Sequence, residues 1–232
     1  LINNMSKQRQ IINLMLCLCL FLFSFCFDSN VFAEIFQEPQ KIESICEKQD
    51  DVGGSGVYPY NYRLIDNCLA AGGSLFNPVS KSNSDDKVCE YIRLLKKNGI
   101  SSLMLLHVPL KDSLTPRLEQ CCQKEGMKLI KMRMNAEQLP NEEQTKHLMK
   151  AIASGSYVHC MWGCDRTGAI IGKYLRTKGY SGREALEAIV NNGTHAGKLG
   201  GFKRKSGNKN LLLYFWPEVK VEAPEIYEEF SK

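Results

Sequence analysis

Charge of one sign is scarce in this chain. Its 30 Lys and Arg against 25 Asp and Glu leave only +5 over 232 residues. That surplus favours anionic ligands mildly and falls far short of a nucleic-acid-binding surface. No internal repeat is visible, which sets repeat architectures aside. No apolar run reaches the ~20 residues of a comfortable membrane span. A 44% hydrophobic and 24% charged composition excludes disordered, collagen-like and multi-span membrane classes. The length allows one ordinary domain with a real core and not two large ones.

What is abundant is cysteine, ten in all, and placement matters more than number. Met5 reads as the start, with residues 1–4 upstream of it. Lys7 and Arg9 form a positive n-region, Ile11 to Phe27 an apolar h-region, and Val31-Phe32-Ala33 a cleavage site after Ala33. Residues 1–33 therefore read as a secretory signal peptide, and the mature protein is expected in the periplasm or secreted, with no stable membrane span after cleavage. Cys17, Cys19 and Cys26 leave with the leader. Cys46, Cys68, Cys89, Cys121, Cys122, Cys160 and Cys164 remain, an odd number, so in an oxidising compartment at least one thiol has no partner within the chain. Cys46, Cys68, Cys89 and one of the vicinal pair Cys121-Cys122 could form two bridges; the sequence leaves the pairing open.

Residues 34–56 read as an N-terminal extension ending in a glycine-rich flexible joint, 57–216 as the catalytic domain and 217–232 as a tail. Within the domain, strand and helix signals alternate. Strands are expected at 62–65, 68–71, 102–108, 129–134 and 156–160. Helices are expected at 85–97, from Thr115-Pro116 to Gly126, and at 141–153, 165–177 and 181–192, several with capping signals. Short strands separated by helical segments predict an α/β fold with a central, mostly parallel sheet flanked by helices on both faces. The segment from Lys198 to Lys232 receives no assignment.

Chemistry concentrates in Tyr157-Val158-His159-Cys160-Met161-Trp162-Gly163-Cys164-Asp165-Arg166-Thr167-Gly168. A strand delivers Cys160, a loop follows, and Arg166 opens a helix. Successive loop N–H groups make a nest for a tetrahedral oxyanion, and the helix N-terminus adds partial positive charge. Arg166 can grip two phosphate oxygens with its planar fork. The same field acidifies the Cys160 thiol, and a thiolate beside an anion cradle is a nucleophile aimed at phosphorus. Gly163 and Gly168 permit the tight loop and the close strand–helix approach.

The string His-Cys-x5-Arg-Thr-Gly resembles the phosphate-binding loop of the cysteine-based tyrosine and dual-specificity phosphatases, and His-Cys-x-x-Gly-x-Asp-Arg-Thr-Gly is similar to bacterial dual-specificity-like members. Asn61-Tyr62-Arg63 to Gly73, Gly99-Ile100 and Pro140-Asn141-Glu142-Glu143-Gln144 follow those proteins in order, so the likeness spans roughly residues 57–195. It implies a protein-tyrosine-phosphatase-like fold with Cys160 as the nucleophile of a phosphocysteine intermediate. Arg166 then holds the phosphoryl group, Thr167 eases thiolate departure, and His159 orients and helps acidify Cys160. Met161, Trp162, Gly163 and Cys164 line the loop. Phosphate, sulfate or vanadate would fill it, and a phosphorylated protein or small phosphomonoester would be the substrate. No cofactor and no metal is called for.

The chain departs from that family at the general acid, because the usual Asp position falls on Ala136, after Asn135. Asp165 inside the loop and Glu137 are the candidate replacements, or no dedicated acid exists. Asp112 imitates the pattern but lies a whole strand too early. Cys164 is either a resolving thiol for oxidised Cys160 or a small loop filler. Lys198, Lys203, Arg204, Lys205 and Lys209 form either a solvated face or a phosphate-steering rim. Three functions stay open: an exported phosphatase (with inositol phosphates or phospholipids as alternative substrates), a phosphate-recognition module without turnover, and a rhodanese-type sulfurtransferase, against which Arg166-Thr167-Gly168 argues.

Overall fold

The computed structural model describes residues 47–48, 51–107, 113–191 and 201–232. The signal peptide, most of the N-terminal extension, Cys46, Asp112 and Lys198 lie outside the described residues. One sheet holds β1 (Glu47–Lys48), β2 (Arg63–Leu64), β3 (Leu69–Gly72), β4 (Ser102–Leu105), β5 (Lys128–Lys131) and β6 (Ser156–His159), in the spatial order β1-β2-β3-β6-β4-β5. The β3, β6, β4 and β5 strands run parallel, and β1 and β2 add an antiparallel edge. The expected strands 102–108 and 129–134 close at Leu105 and Lys131, with single backbone bonds from Met132 and Met134 to Leu105 and Leu106 continuing beyond.

Helices α1 (Asp85–Lys97) and α2 (Leu114–Glu125) sit on one face. On the other lie α3 (Glu142–Ala153), α4 (Asp165–Thr177), α5 (Gly182–Asn191) and α6 (Lys209–Phe215). The period-2 alternation of a strand sorts the side chains between them. Leu103, Leu105 and Tyr157 join the α1–α2 core with Val88, Ile92 and Leu118. Met104, Leu106 and Val158 join the opposite core with Leu148, Ile170 and Leu186. No helix among the described residues is long and apolar enough to cross a membrane.

Three features differ from the sequence expectation. The glycine-rich segment is no flexible joint from Asp51 onward: Val52 is buried and its carbonyl accepts from Asn61 N at 2.8 Å, while Asn83 Nδ2 holds the Gly54 carbonyl at 2.8 Å. The unassigned C-terminal segment folds into α6, then α7 (Val219–Glu222) and α8 (Pro224–Glu229), and buries Val219, Ala223, Ile226 and Phe230 in the second core. A disulfide joins Cys89 of α1 to Cys121 of α2. Cys122 is a buried thiol and Cys68 a half-buried one, so only one bridge forms among the described cysteines.

Candidate active site

Strand β6 ends at His159, and Cys160 begins the loop at the carboxyl edge of the parallel strands, where open α/β sheets place their ligands. The loop leads into α4, whose first turn holds Asp165, Arg166 and Thr167. The N-termini of α1 and α3 are closed by Ser84 and Asn141, and that of α5 by Ser181. At α4 the cap is Cys164, which makes no side-chain capping bond. No capping side chain takes the first N–H groups of that helix, and the Thr167 N–H turns to the Cys160 sulfur.

The loop's peptide planes are set from behind. The Met161 carbonyl accepts from Ser74 N at 2.9 Å, the Trp162 carbonyl from Asn61 Nδ2 at 3.1 Å, and the Gly163 carbonyl from Arg63 Nη2 at 2.8 Å. In a trans peptide the N–H points opposite to the carbonyl, so three outward carbonyls turn the N–H groups of Trp162, Gly163 and Cys164 inward. Gly163 has φ +72°, and a Cβ there would sit 2.6 Å from the Gly72 carbonyl oxygen. Only glycine lets the loop lie against the end of β3.

Cys160 is buried. Burial pushes its thiol pKa up, but the Arg166 guanidinium, the Thr167 hydroxyl and the N–H groups of Thr167 and Trp162 outweigh it and leave the thiol below its ordinary value. Thr167 Oγ1 accepts from Cys160 N at 2.9 Å, which leaves the hydroxyl proton to donate to the sulfur. His159 is buried, and its pKa falls to about 4 because burial and Arg166 outweigh the bond to the Cys160 carbonyl. Its Nδ1–H faces that carbonyl at 3.2 Å. His159 therefore orients the loop as a neutral ring, and the acidifying charge belongs to Arg166 rather than to the imidazole. His107, just after β4, packs edge-on to His159 at 5.6 Å, and burial, His159 and Arg166 lower its pKa to about 3.

Cys160, Trp162, Cys164, Asp165, Arg166, Lys203 and Lys205 line a cleft of about 250 Å³. Trp162 stands at its rim, 37% exposed and edge-on to Tyr60. Gly168 lets the Phe202 ring approach α4. The Asp165 carboxylate accepts from Lys203 N at 3.1 Å and pairs with Lys205 Nζ at 3.1 Å. Glu137 lies on an exposed turn where Asn135 Oδ1 accepts from the Glu137 and Gln138 N–H groups, and it is not among the cleft-lining residues. Burial and the neighbouring Cys160 push the Cys164 thiol up to about 12, against the lesser pull of Arg63. Cys164 stays protonated and donates to the Trp162 carbonyl at 3.4 Å. The sequence reading gave no role to Asn61, Arg63, Ser74 or His107; all four are far from the loop in sequence, and only Asn61 and Arg63 carried any signal, as part of the resemblance.

No protein-family model and no curated protein matches the chain. Solved structures do. TpbA of P. aeruginosa is 13% identical, with 81% of this chain and 96% of that one covered and a TM-score of 0.49. The core catalytic domain of the PP-IP phosphatase SIW14 from S. cerevisiae, solved with citrate, is 14% identical over 76% and 96%, with a TM-score of 0.48. Tk-PTP in its active form is 19% identical over 67% and 95%, with a TM-score of 0.47. The likeness is one of fold. What this chain does has to be carried by its own residues.

Proposed function

We propose that this chain is a cysteine-dependent phosphatase that hydrolyses phosphate monoesters through a phosphocysteine. The Cys160 thiol, acidified by Arg166 in the same cleft and placed at the uncapped N-terminus of α4, carries this reading. The phosphoryl oxygens sit on the inward loop N–H groups and the Arg166 fork, donors already in place for the charge that the transition state spreads over those oxygens. Cys160 Sγ attacks phosphorus; the S–P bond forms as the P–O bond to the leaving group breaks, and the departing oxygen takes a proton. Water then attacks the phosphocysteine, the S–P bond breaks, the thiolate returns and inorganic phosphate leaves. Thr167 donates to the sulfur as it departs.

Asp165 is the candidate donor of the leaving-group proton, since it is the carboxyl group lining the cleft. Its pairing with Lys203 N and Lys205 supports a second reading, a phosphate-recognition module in which that carboxylate is a strut. The substrates fitting the first reading are phosphotyrosine-bearing or dual-specificity protein substrates and small phosphomonoesters, with the Trp162 ring available to an aryl group. The leader and the Cys89–Cys121 disulfide support export to the periplasm or beyond.

Hydrolysis of p-nitrophenyl phosphate by the reduced protein, beside Cys160→Ser and Asp165→Asn, tests the proposal. Expected are turnover in the wild type, none in Cys160→Ser, and a ~10²-fold or larger loss in Asp165→Asn that grows as the leaving group worsens. Vanadate binding with no wild-type turnover would establish the recognition module instead.

A further inference from the structure

The basic run Lys203-Arg204-Lys205 divides by side. Arg204 turns back onto the domain, donating to Glu187 Oε1 at 3.0 Å and Glu229 Oε2 at 2.8 Å. Lys203 and Lys205, its two neighbours, instead line the cleft that holds Cys160 and Arg166. The segment carrying them is fixed at both ends. Phe202 is buried against Phe215 and Phe230, and its N–H donates to the Ile189 carbonyl at 3.0 Å. Asn208 closes the other end: its Nδ2 donates to the Lys203 carbonyl at 2.9 Å and its N–H to the Lys205 carbonyl at 2.9 Å. The backbone that carries both lysines is thus fixed at the lining of a cleft that also holds Cys160 and Arg166.

The Arg166 fork and the loop N–H groups suffice for one phosphoryl dianion. Asp165 is the one carboxylate among the lining residues; it pairs with the Lys205 ammonium and accepts from the Lys203 backbone N–H. Lys203 has no ion-pair partner among the described residues, yet its charge is felt at the Cys164 thiol inside the loop. The cleft therefore keeps a positive surplus that the scissile phosphate does not consume.

We propose that Lys203 and Lys205 form a second anion subsite beside the phosphoryl cradle, selecting a compact phosphate monoester with another phosphate group next to the scissile one. The inference rests on the phosphatase reading of the loop and names its substrate class. A lone phosphotyrosine offers these lysines nothing. A neighbouring phosphate gives Lys203 its counter-ion and draws Lys205 off Asp165, which frees that carboxyl beside the departing oxygen. Charge-assisted bonds of this kind are stronger than neutral ones.

The test compares wild type, Lys203→Ala/Lys205→Ala and Lys209→Ala, the last removing one positive charge from the same basic run outside the cleft. Inositol hexakisphosphate binding is followed by calorimetry, which needs no turnover. Hydrolysis of inositol 1,4,5-trisphosphate, of phosphatidylinositol 4,5-bisphosphate in phosphatidylcholine vesicles, of a doubly phosphorylated peptide and of p-nitrophenyl phosphate is followed by phosphate release. Expected is a weakening of hexakisphosphate binding by about tenfold or more in the double variant, with Lys209→Ala within twofold of wild type. The kcat/KM ratio of a polyphosphorylated substrate to p-nitrophenyl phosphate should fall by a similar factor. Preference for the trisphosphate or for the vesicles supports the subsite and tells a soluble substrate from a lipid headgroup. Equal losses in the double variant and Lys209→Ala, an unchanged ratio, or preference for a doubly phosphorylated peptide over both would overturn it. Lysine-dependent binding without any p-nitrophenyl phosphate turnover would keep the subsite and remove the phosphatase reading; turnover without lysine dependence would do the reverse.

Discussion

At the scale of single residues, the site is a contest between burial and one charge. Cys160 is buried, and burial alone makes a poor thiolate; Arg166 leads the groups that reverse that outcome. Only the thiolate is alkylated, so reactivity is present above the thiol pKa and lost as pH falls through it. The iodoacetamide rate of the wild type should therefore have its midpoint below the ordinary thiol value of ~8.5. In Arg166→Met, with burial unopposed by that charge, the midpoint should move up; an unchanged midpoint would show that Arg166 does not set the nucleophile. The two imidazoles behind the loop titrate the other way. His159 and His107 are held neutral down to about 4 and about 3, whereas in the unfolded chain each takes up a proton near ~6.5. Between those values the unfolded state binds more protons, so stability is present above ~6.5 and drains away as pH falls toward 4. The His107→Asn variant should show a shallower loss of urea-unfolding free energy between pH 6.5 and 4 than wild type, because one of the two protonation sites is gone. Parallel curves for the two proteins would refute the assignment.

At the scale of elements, the loop from Cys160 to Arg166 is shaped by what holds its back. Arg63 on β2 is fully buried and spends its fork on two carbonyls, Asn61 at 2.9 Å and Gly163 at 2.8 Å. Replacing it with Met leaves the Gly163 carbonyl without that donor, a loss of ~1–3 kcal/mol for a buried acceptor, and frees the peptide that aims the Cys164 N–H inward. Arg63→Met should lower kcat for p-nitrophenyl phosphate about tenfold or more, because transition-state stabilisation depends on donors already in place. A fall in melting temperature with kcat intact would make Arg63 merely structural. Gly163→Ala should be worse, since the residue needs a positive φ and the methyl meets the Gly72 carbonyl. Legibility in the sequence follows the same line. The α3 and α5 helices announce themselves through Asn141 and Ser181 at their starts, α1 through Gly99 just past its end, and all three through apolar faces long enough to show a period. The α7 and α8 helices span four and six residues, too few turns for periodicity, and only packing makes them helical. Cys160 and Arg166 are readable because one contiguous loop carries both. His107 reaches the same spot only through the order of strands in the sheet, which no local pattern encodes; Lys203 and Lys205 stood out as a basic run, but which of its members line the cleft is decided by the docking of the C-terminal segment.

At the scale of the molecule, the sheet separates what keeps the protein folded from what it does. The Cys89–Cys121 bridge ties α1 to α2 within one core, while the α4 helix that follows the loop is packed into the core of the opposite face. In an oxidising compartment the two faces make opposite demands. The bridge must stay oxidised, and the acidified Cys160 must stay reduced, although an acidified thiolate is the first to meet an oxidant. Cys122, buried and raised to about 12, is not a competing thiolate. The bridge closes a span of 32 residues, and a loop of that size is worth ~3.7 kcal/mol through the restricted unfolded chain. For a domain of this size that amounts to roughly 5–15 °C in melting temperature. Cys89→Ser/Cys121→Ser should therefore melt lower than wild type by about that much without reductant. Reductant should bring the wild type down to the variant. At 25 °C the kcat/KM of the variant should stay within about twofold, because neither cysteine touches the loop and effects at distant, independent sites do not couple. Peroxide followed by reductant should restore wild-type activity while costing it the bridge, so that stability and activity respond to the same reagent in opposite directions. If the variant instead lost activity at 25 °C in step with its melting temperature, the two faces would be coupled through the sheet, and α1 and α2 would count as part of the apparatus that positions Cys160.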